Sequence, residues 1–392
     1  MYSYVRAMTG NGLEGVVATT TRLSHVDGER GELVIAGYPV DQLAAHATFE
    51  ETTWLLWHGS LPAAAQLETF RDALAGVRRL PEATLALLRE CARRQMPAMD
   101  ALRVAAGTLS LESDEATGIV ARVPVIVAFY WRLRHGREPI PPRHDLGHAA
   151  NFLYMLSGDP PDAERVRALE TYLNTVIDHG LNASTFTTRV ITSTGSDLVS
   201  AVVGGLGALK GPLHGGAPGP ALDMVFEIGD ASRAETVLRA KFERGEKLMG
   251  FGHRVYKVRD PRAEVLATAA ERLFTRGGDM ALYTLARAVE AEALRLLEEY
   301  KPGRRLQTNV EFYTALLLHG LGLDAGLFTP TFAISRVSGW IAHAFEQREG
   351  NRLIRPQSEY VGPRDRTWVP LAQRVTAPER PSGSPVPAAA GR

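Results

Sequence analysis

Cysteine is almost missing from this chain. Cys91 stands alone among 392 residues, so no disulfide can close within it, and a reducing compartment, the cytoplasm, is the expectation. An excess of one charge is missing too. Lys plus Arg and Asp plus Glu number 44 each, a formal net charge of zero. That argues against a nucleic acid or an anionic membrane as partner, since both attract a basic excess. No stretch approaches the roughly 18 uninterrupted apolar residues of a membrane span. The opening "MYSYVRAMTGNGLEGV" has no apolar signal-peptide core. Strands do not alternate with helices, which excludes a doubly wound sheet, and no repeat of solenoid length is present.

Helical patterning fills most of what is there. "HVDGERGELVIAGYPV" has the glycine spacing and β-branched residues of a short strand or hairpin. Beyond Asp41, "FEETTWLLWHGSLP" starts acidic, runs apolar and stops at Gly and Pro, as a helix does. "AAQLETFRDALAGVRRL" and "PEATLALLRECARRQ" repeat that logic, the second with Pro81 at its start. "RVPVIVAFYWRLRHG" is apolar on most faces and reads as a buried core helix. "AERVRALETYLNTVIDHG" and "RAEVLATAAERLFTR" are amphipathic. The closing "TAPERPSGSPVPAAAGR" has the composition of a disordered tail.

Two Gly-rich passages interrupt the helices. "VVGGLGALKGPLHGGAPGP" is no phosphate loop, because Lys210 is not followed by Ser or Thr and no strand precedes it. His144 and His148 are four apart, but no Glu follows His144 in the HExxH manner, so a solvated or capping pair is expected and no metal. His214, in "GPLHGGA", has glycines after it that let a ligand come close. A helix starting soon after would depress its pKa, and a neutral imidazole N–H is a good donor to a carbonyl becoming an enolate. His253, in "GFGHRVYKVRDPRA", again follows glycines, with Arg254, Lys257, Arg259 and Arg262 beyond it. In "LQTNVEFYTALLLHG", Thr308 and Asn309 read as helix caps and place Glu311 in a first helical turn, where the dipole favours the ionised form.

"GPLHGGA", "GFGHRVYKVRDPRA" and "NVEFY", in this order, resemble the signature segments of the citrate synthase family. "GLEGVVATTTRLSHVDGERGELVIAGY", "DHGLNASTFTTRV", "FTPTFAISRVSGWIAHAFEQ" and "RLIRPQSEYVGP" extend the resemblance over nearly the whole chain. It implies an all-α fold with short N-terminal strands and a cleft between two helical domains. The large domain would take 1–216 and 317–375, the small one 217–316, and 376–392 would be the tail. It further implies a homodimer that condenses acetyl-CoA with oxaloacetate to citrate and CoA, with no metal and no cofactor beyond the acyl-CoA substrate. By the same resemblance Glu311 removes a methyl proton from acetyl-CoA, His214 donates to the thioester oxygen and His253 polarises the oxaloacetate carbonyl. His179 contacts oxaloacetate, Arg262 and Arg336 hold its carboxylates, and Arg355 reaches into the partner's site. Lys257 matches a basic position near the CoA phosphates.

The chain departs from the family pattern at several points. Glu311 stands where an Asp is usual, and one extra methylene adds about 1.5 Å of reach. A misplacement of about 1 Å can cost on the order of a hundredfold in rate unless the site compensates. "GGAPGP" replaces "GGANEA", Gly180 replaces an acidic residue, and Ala36 stands where an Arg is usual. Two alternatives follow: a 2-methylcitrate synthase using propionyl-CoA, and a non-catalytic regulator that binds CoA esters or dicarboxylates.

Overall fold

The computed structural model describes residues 11–13, 15–109, 115–214, 218–253, 255–277 and 279–374. Arg254 and the 376–392 tail lie outside these. Three short strands, β1 (Ser24–Asp27), β2 (Glu32–Ile35) and β3 (Tyr38–Pro39), form an antiparallel meander. Ala36 and Gly37 make its second turn, both at positive φ (45° and 91°), the handedness that suits the right-handed twist of a two-residue hairpin.

Sixteen α-helices follow among the described residues. The first eight are α1 (Val40–His46), α2 (Phe49–His58), α3 (Ala64–Gly76), α4 (Glu82–Arg93), α5 (Ala98–Ala106), α6 (Glu115–Arg134), α7 (His148–Ser157) and α8 (Ala163–Val176). The others are α9 (Ala183–Ser193), α10 (Leu198–Leu209), α11 (Pro218–Ile228), α12 (Ala234–Glu243), α13 (Pro261–Gly277), α14 (Met280–Tyr300), α15 (Val310–Gly320) and α16 (Phe328–Glu349). The architecture is all-α, as the patterning predicts.

Local signals set the helix ends. Thr48 and Glu51 cap α2 reciprocally, and Gly59 ends it in the left-handed conformation. Asp162 caps α8 by accepting from Arg165 N at 2.9 Å. By length and composition α6 is apolar enough to cross a bilayer, but most of it is buried inside the protein. It packs against α4, α5, α7 and α16, and α16 in turn packs against α2, α8, α9 and α10. These two helices are the centre of the core, and burying their apolar faces is the main stabilising term. α13 packs on both α8 and α15. That junction brings distant segments together at the site.

The described residues up to Ile354 form one compact unit, and a second begins at Arg355. Within the second unit Tyr360, Val361, Trp368 and Leu371 are exposed apolar residues.

Candidate active site

Two irregular segments pair to build the site. Phe251 and Thr308 form an isolated antiparallel bridge. Gly252 N donates to Gln307 O at 2.7 Å, and Asn309 N to Gly250 O at 3.0 Å. Gly250 is required here: its φ is 88°, and a Cβ would lie 2.9 Å from that of Phe312. The pairing changes the expected caps. Thr308 is extended, and its buried hydroxyl has no partner among the described residues. Asn309 alone caps α15, accepting from Glu311 N at 3.0 Å, while its Nδ2 donates to Gly252 O at 2.7 Å. One residue thus locks Glu311 to the His253 loop.

Asp260 adds a second lock. Its Oδ1 accepts from Arg262 N and Nε, both at 3.0 Å, and its Oδ2 from Arg262 Nη2 at 2.8 Å and Val310 N at 3.2 Å. This buried pair orients the Arg262 guanidinium and ties it to the start of α15. The N-terminal meander supports the same loop from outside. Lys257 N donates to Gly28 O at 2.8 Å, and any Cβ at Gly28 would come within 2.2 Å of Val255 O.

The imidazoles are neutral, and their hydrogen bonds say where the protons sit. His253 Nδ1 accepts from Val255 N at 3.1 Å and Tyr256 N at 3.0 Å. A ring that accepts at Nδ1 carries its proton on Nε2. That Nε2 lies 3.4 Å from Arg262 Nη2. Both are donors, so the pair is set to share one acceptor between them. Burial, then Arg262, lowers the His253 pKa to about 4. His179 stacks edge-on to His253 at 5.7 Å, and its Nε2 lies 3.1 Å from Tyr256 Oη. Burial and the neighbouring Arg262 and Arg336 hold it well below the usual imidazole value.

His214 is also lowered, by burial first and Arg336 second. Its Nε2 lies 2.8 Å from Ser184 Oγ. Ser184 Oγ donates to Asn182 Oδ1 at 2.8 Å and receives Trp340 Nε1–H at 3.2 Å. The serine has one proton to give. It goes to Asn182 Oδ1, an acceptor fixed by Thr185 N, so Ser184 accepts from His214 Nε2–H.

Arg336 is 2% exposed. Its Nε donates to Val176 O at 2.7 Å and its guanidinium stacks on Phe332, 4.5 Å from the ring centre. Among the described residues nothing accepts from its two terminal nitrogens. Burial lowers this arginine to about 10, with Arg262 adding to the effect and Asp178 opposing it. Glu311 is likewise without a donor to its carboxylate. Burial lifts it to about 7, with Asp260 adding and Arg262 and Arg336 opposing. The free-glutamate value near 4 therefore understates its strength as a base.

Glu311, His253, His214, His179, Arg262 and Arg336 are all drawn into this junction. Lys257 is exposed on the loop. Arg355 is exposed and opens the second unit. The His144/His148 pair is not a unit, because α7 begins at His148 and leaves His144 in the preceding loop. His144 is exposed, whereas His148 is buried and stacked on Phe49 at 4.4 Å, not solvated. Sequence reasoning missed Asp260, Tyr256 and Ser184, although each stands inside a quoted segment.

A helical protein that sets a carboxyl raised toward neutrality among neutral imidazoles and buried guanidinium groups is fitted for chemistry on an anionic substrate. The family model described as "Citrate synthase, C-terminal domain" matches residues 12–357. Citrate synthase 2 of Bacillus subtilis is 42% identical over 93% of this chain and 99% of its own length. The 2-methylcitrate synthase of Shewanella oneidensis is 39% identical over 95% and 100%. A solved citrate synthase from Thermoplasma acidophilum, in ternary complex with carboxymethyl coenzyme A and oxaloacetate, superimposes with a TM-score of 0.84 at 31% identity, covering 93% of this chain and 99% of that one. The chain belongs to the citrate synthase family.

Proposed function

We propose that this enzyme condenses acetyl-CoA with oxaloacetate and hydrolyses the citryl-CoA formed, releasing citrate and CoA. The observation that carries the reading is the buried Arg336 guanidinium with both terminal nitrogens free, beside a carboxyl poised near neutrality. A dianionic keto acid supplies what that pocket lacks, since guanidinium groups bind carboxylates in a bidentate, oriented way. Arg262 and Arg336 hold its carboxylates and His179 contacts it. His253 Nε2–H and Arg262 converge on its ketone oxygen.

Glu311 takes a methyl proton from the acetyl group. A base near pKa 7 is better matched to a very weak carbon acid than a free carboxylate, and it remains ionised at pH 8. His214 donates an N–H to the thioester oxygen as negative charge develops there, an oxyanion-type stabilisation in a water-poor site. The enolate carbon attacks the ketone carbon, the new alkoxide is protonated, and water cleaves the thioester. Lys257, on the exposed side of the loop, is the basic group offered to the CoA phosphates.

Closure of 217–316, as a small domain, over 1–216 and 317–375 would exclude water during the proton transfer. The active form is a cytoplasmic homodimer in which Arg355 completes the partner's site; the exposed Tyr360, Val361, Trp368 and Leu371 support a covered C-terminal arm. Turnover requires no metal or redox cofactor in this scheme.

A second reading, 2-methylcitrate synthesis from propionyl-CoA, is favoured by the 39% identity to the Shewanella protein. One methylene in an apolar pocket is worth only about 1–3 kcal/mol, so the same residues serve either acyl group. CoA release from acetyl-CoA and from propionyl-CoA, each with and without oxaloacetate, tests both readings. Release that depends on oxaloacetate is expected, and the ratio of specificity constants assigns the acyl group. A correctly folded protein that releases none from either thioester would instead be a non-catalytic binder of such ligands.

A further inference from the structure

His179 lies in the connection from α8 to α9, and the residues around it are fastened from two sides. On one side is α16. Val176 O takes the Arg336 Nε bond, and a Cβ at Gly339 would lie 2.1 Å from Ile177 O, so only glycine allows this approach. The Asp178 carboxylate is fully buried, and its Oδ1 lies 3.1 Å from His343 Nε2. His343 Nδ1 faces the donor Arg189 Nη1 at 3.0 Å. The imidazole therefore accepts at Nδ1 and gives its Nε2–H to Asp178.

On the other side is the N-terminal meander. Ser24, the first residue of β1, accepts from Gly180 N at 2.8 Å and donates its own proton to Asp178 Oδ2 at 2.5 Å. One hydroxyl thus grips the residue before His179 and the residue after it. The grip matters because Gly180 stands at φ 60°. Glycine enters that conformation freely, and leaves it as freely unless something holds it.

We propose that Ser24 is a positioning residue for His179: by closing the backbone from Asp178 to Gly180 it aims the imidazole at His253 and Tyr256. The inference rests on the reading of His179 as an oxaloacetate contact. It also gives the meander a second task. Gly28 O, just past the end of β1, accepts from Lys257 N in the His253 loop. The same hairpin therefore supports both histidines of the keto-acid site.

The test is Ser24→Ala, which removes the hydroxyl and keeps the strand. KM for oxaloacetate should rise about tenfold, as for a lost hydrogen bond to a charged group, with kcat changed less than twofold. Ser24→Thr, which keeps a hydroxyl on a residue suited to strands, should return KM to within about threefold of the parent. In the His179→Asn background Ser24→Ala should alter KM less than twofold, since its effect passes through that ring. An equal loss in both backgrounds would mean a general packing effect, and a fall in kcat at unchanged KM would place the hydroxyl elsewhere in the reaction; either overturns the proposal. So does an alanine variant indistinguishable from the parent, or a threonine variant no better than the alanine. The His179 ring Cε1–H resonance in 13C-histidine-labelled, ligand-free protein, assigned with His179→Asn, reads the positioning without turnover. It should shift or broaden in Ser24→Ala and return in Ser24→Thr. An unmoved resonance rejects the proposal, while absence of CoA release by the unaltered protein rejects only the catalytic reading.

Discussion

Two charged clusters meet across the start of α15, and they are built on opposite terms. On one side Glu290, 3% exposed, accepts from Arg259 Nη1 at 2.9 Å, Arg287 Nη1 at 2.9 Å and Tyr313 Oη at 2.5 Å. On the other, Glu311 accepts from nothing described and Arg336 keeps two nitrogens free. Only one residue, Phe312, separates Glu311 from Tyr313 in sequence. Burying charge is costly in either place unless partners repay the lost hydration. The first cluster finds its partners inside the chain and fastens α14 to α15. The second leaves them to be brought by a ligand. A carboxylate supplied with three donors holds the fold, and one left without them marks where something binds.

Four experiments press on that contrast. Glu311→Gln should lower kcat on the order of a thousandfold, within the range for loss of a general base, with oxaloacetate affinity nearly unchanged; near-parental turnover would mean that another group is the base. Glu290→Gln should do the reverse. Leaving Arg259 and Arg287 without their carboxylate should cost about 3 kcal/mol of unfolding free energy, read by urea denaturation, with kinetic constants within about threefold. Arg336→Gln should raise KM for oxaloacetate about a hundredfold, as loss of a buried charge partner does. Its melting temperature should hold or rise, because the ligand-free protein loses a charge that nothing neutralises.

The last effect is a pH-dependent one. Glu311 is raised from 4.5 to about 7 by folding. The folded state therefore binds its proton more tightly, and the carboxyl destabilises the fold only once ionised. That penalty is absent below the unfolded value, grows between about pH 4.5 and 7, and is complete above the folded value. Glu311→Gln should be as stable as the parent at pH 4.5 and more stable by about 3 kcal/mol at pH 8. A constant difference across that range would show that Glu311 is not a strained base.

Much of this was legible before any coordinates. The helices announce themselves by periodicity and end signals, and His253 and Glu311 stand out because glycines and a cap surround them. Less legible is what depends on contact between remote segments. Thr308 looks like a cap residue by type, but its backbone is drawn into the bridge with Phe251, and Asn309 caps alone. The basicity of Glu311 is a tertiary property for the same reason, since burial rather than the helix end dominates it. Ala36 illustrates a departure with only a local meaning: it occupies the left-handed turn between β2 and β3.

The backbone bond from Lys257 to Gly28 has a consequence for how this protein acquires its activity. A hairpin made early in synthesis supports a histidine loop more than two hundred residues later, and that loop in turn needs residues 307–309 to pair with. No earlier nascent fragment can assemble the site, and contacts of such long sequence separation slow folding. The first-made strands must wait, with their edges unprotected, for a partner still to emerge from the ribosome.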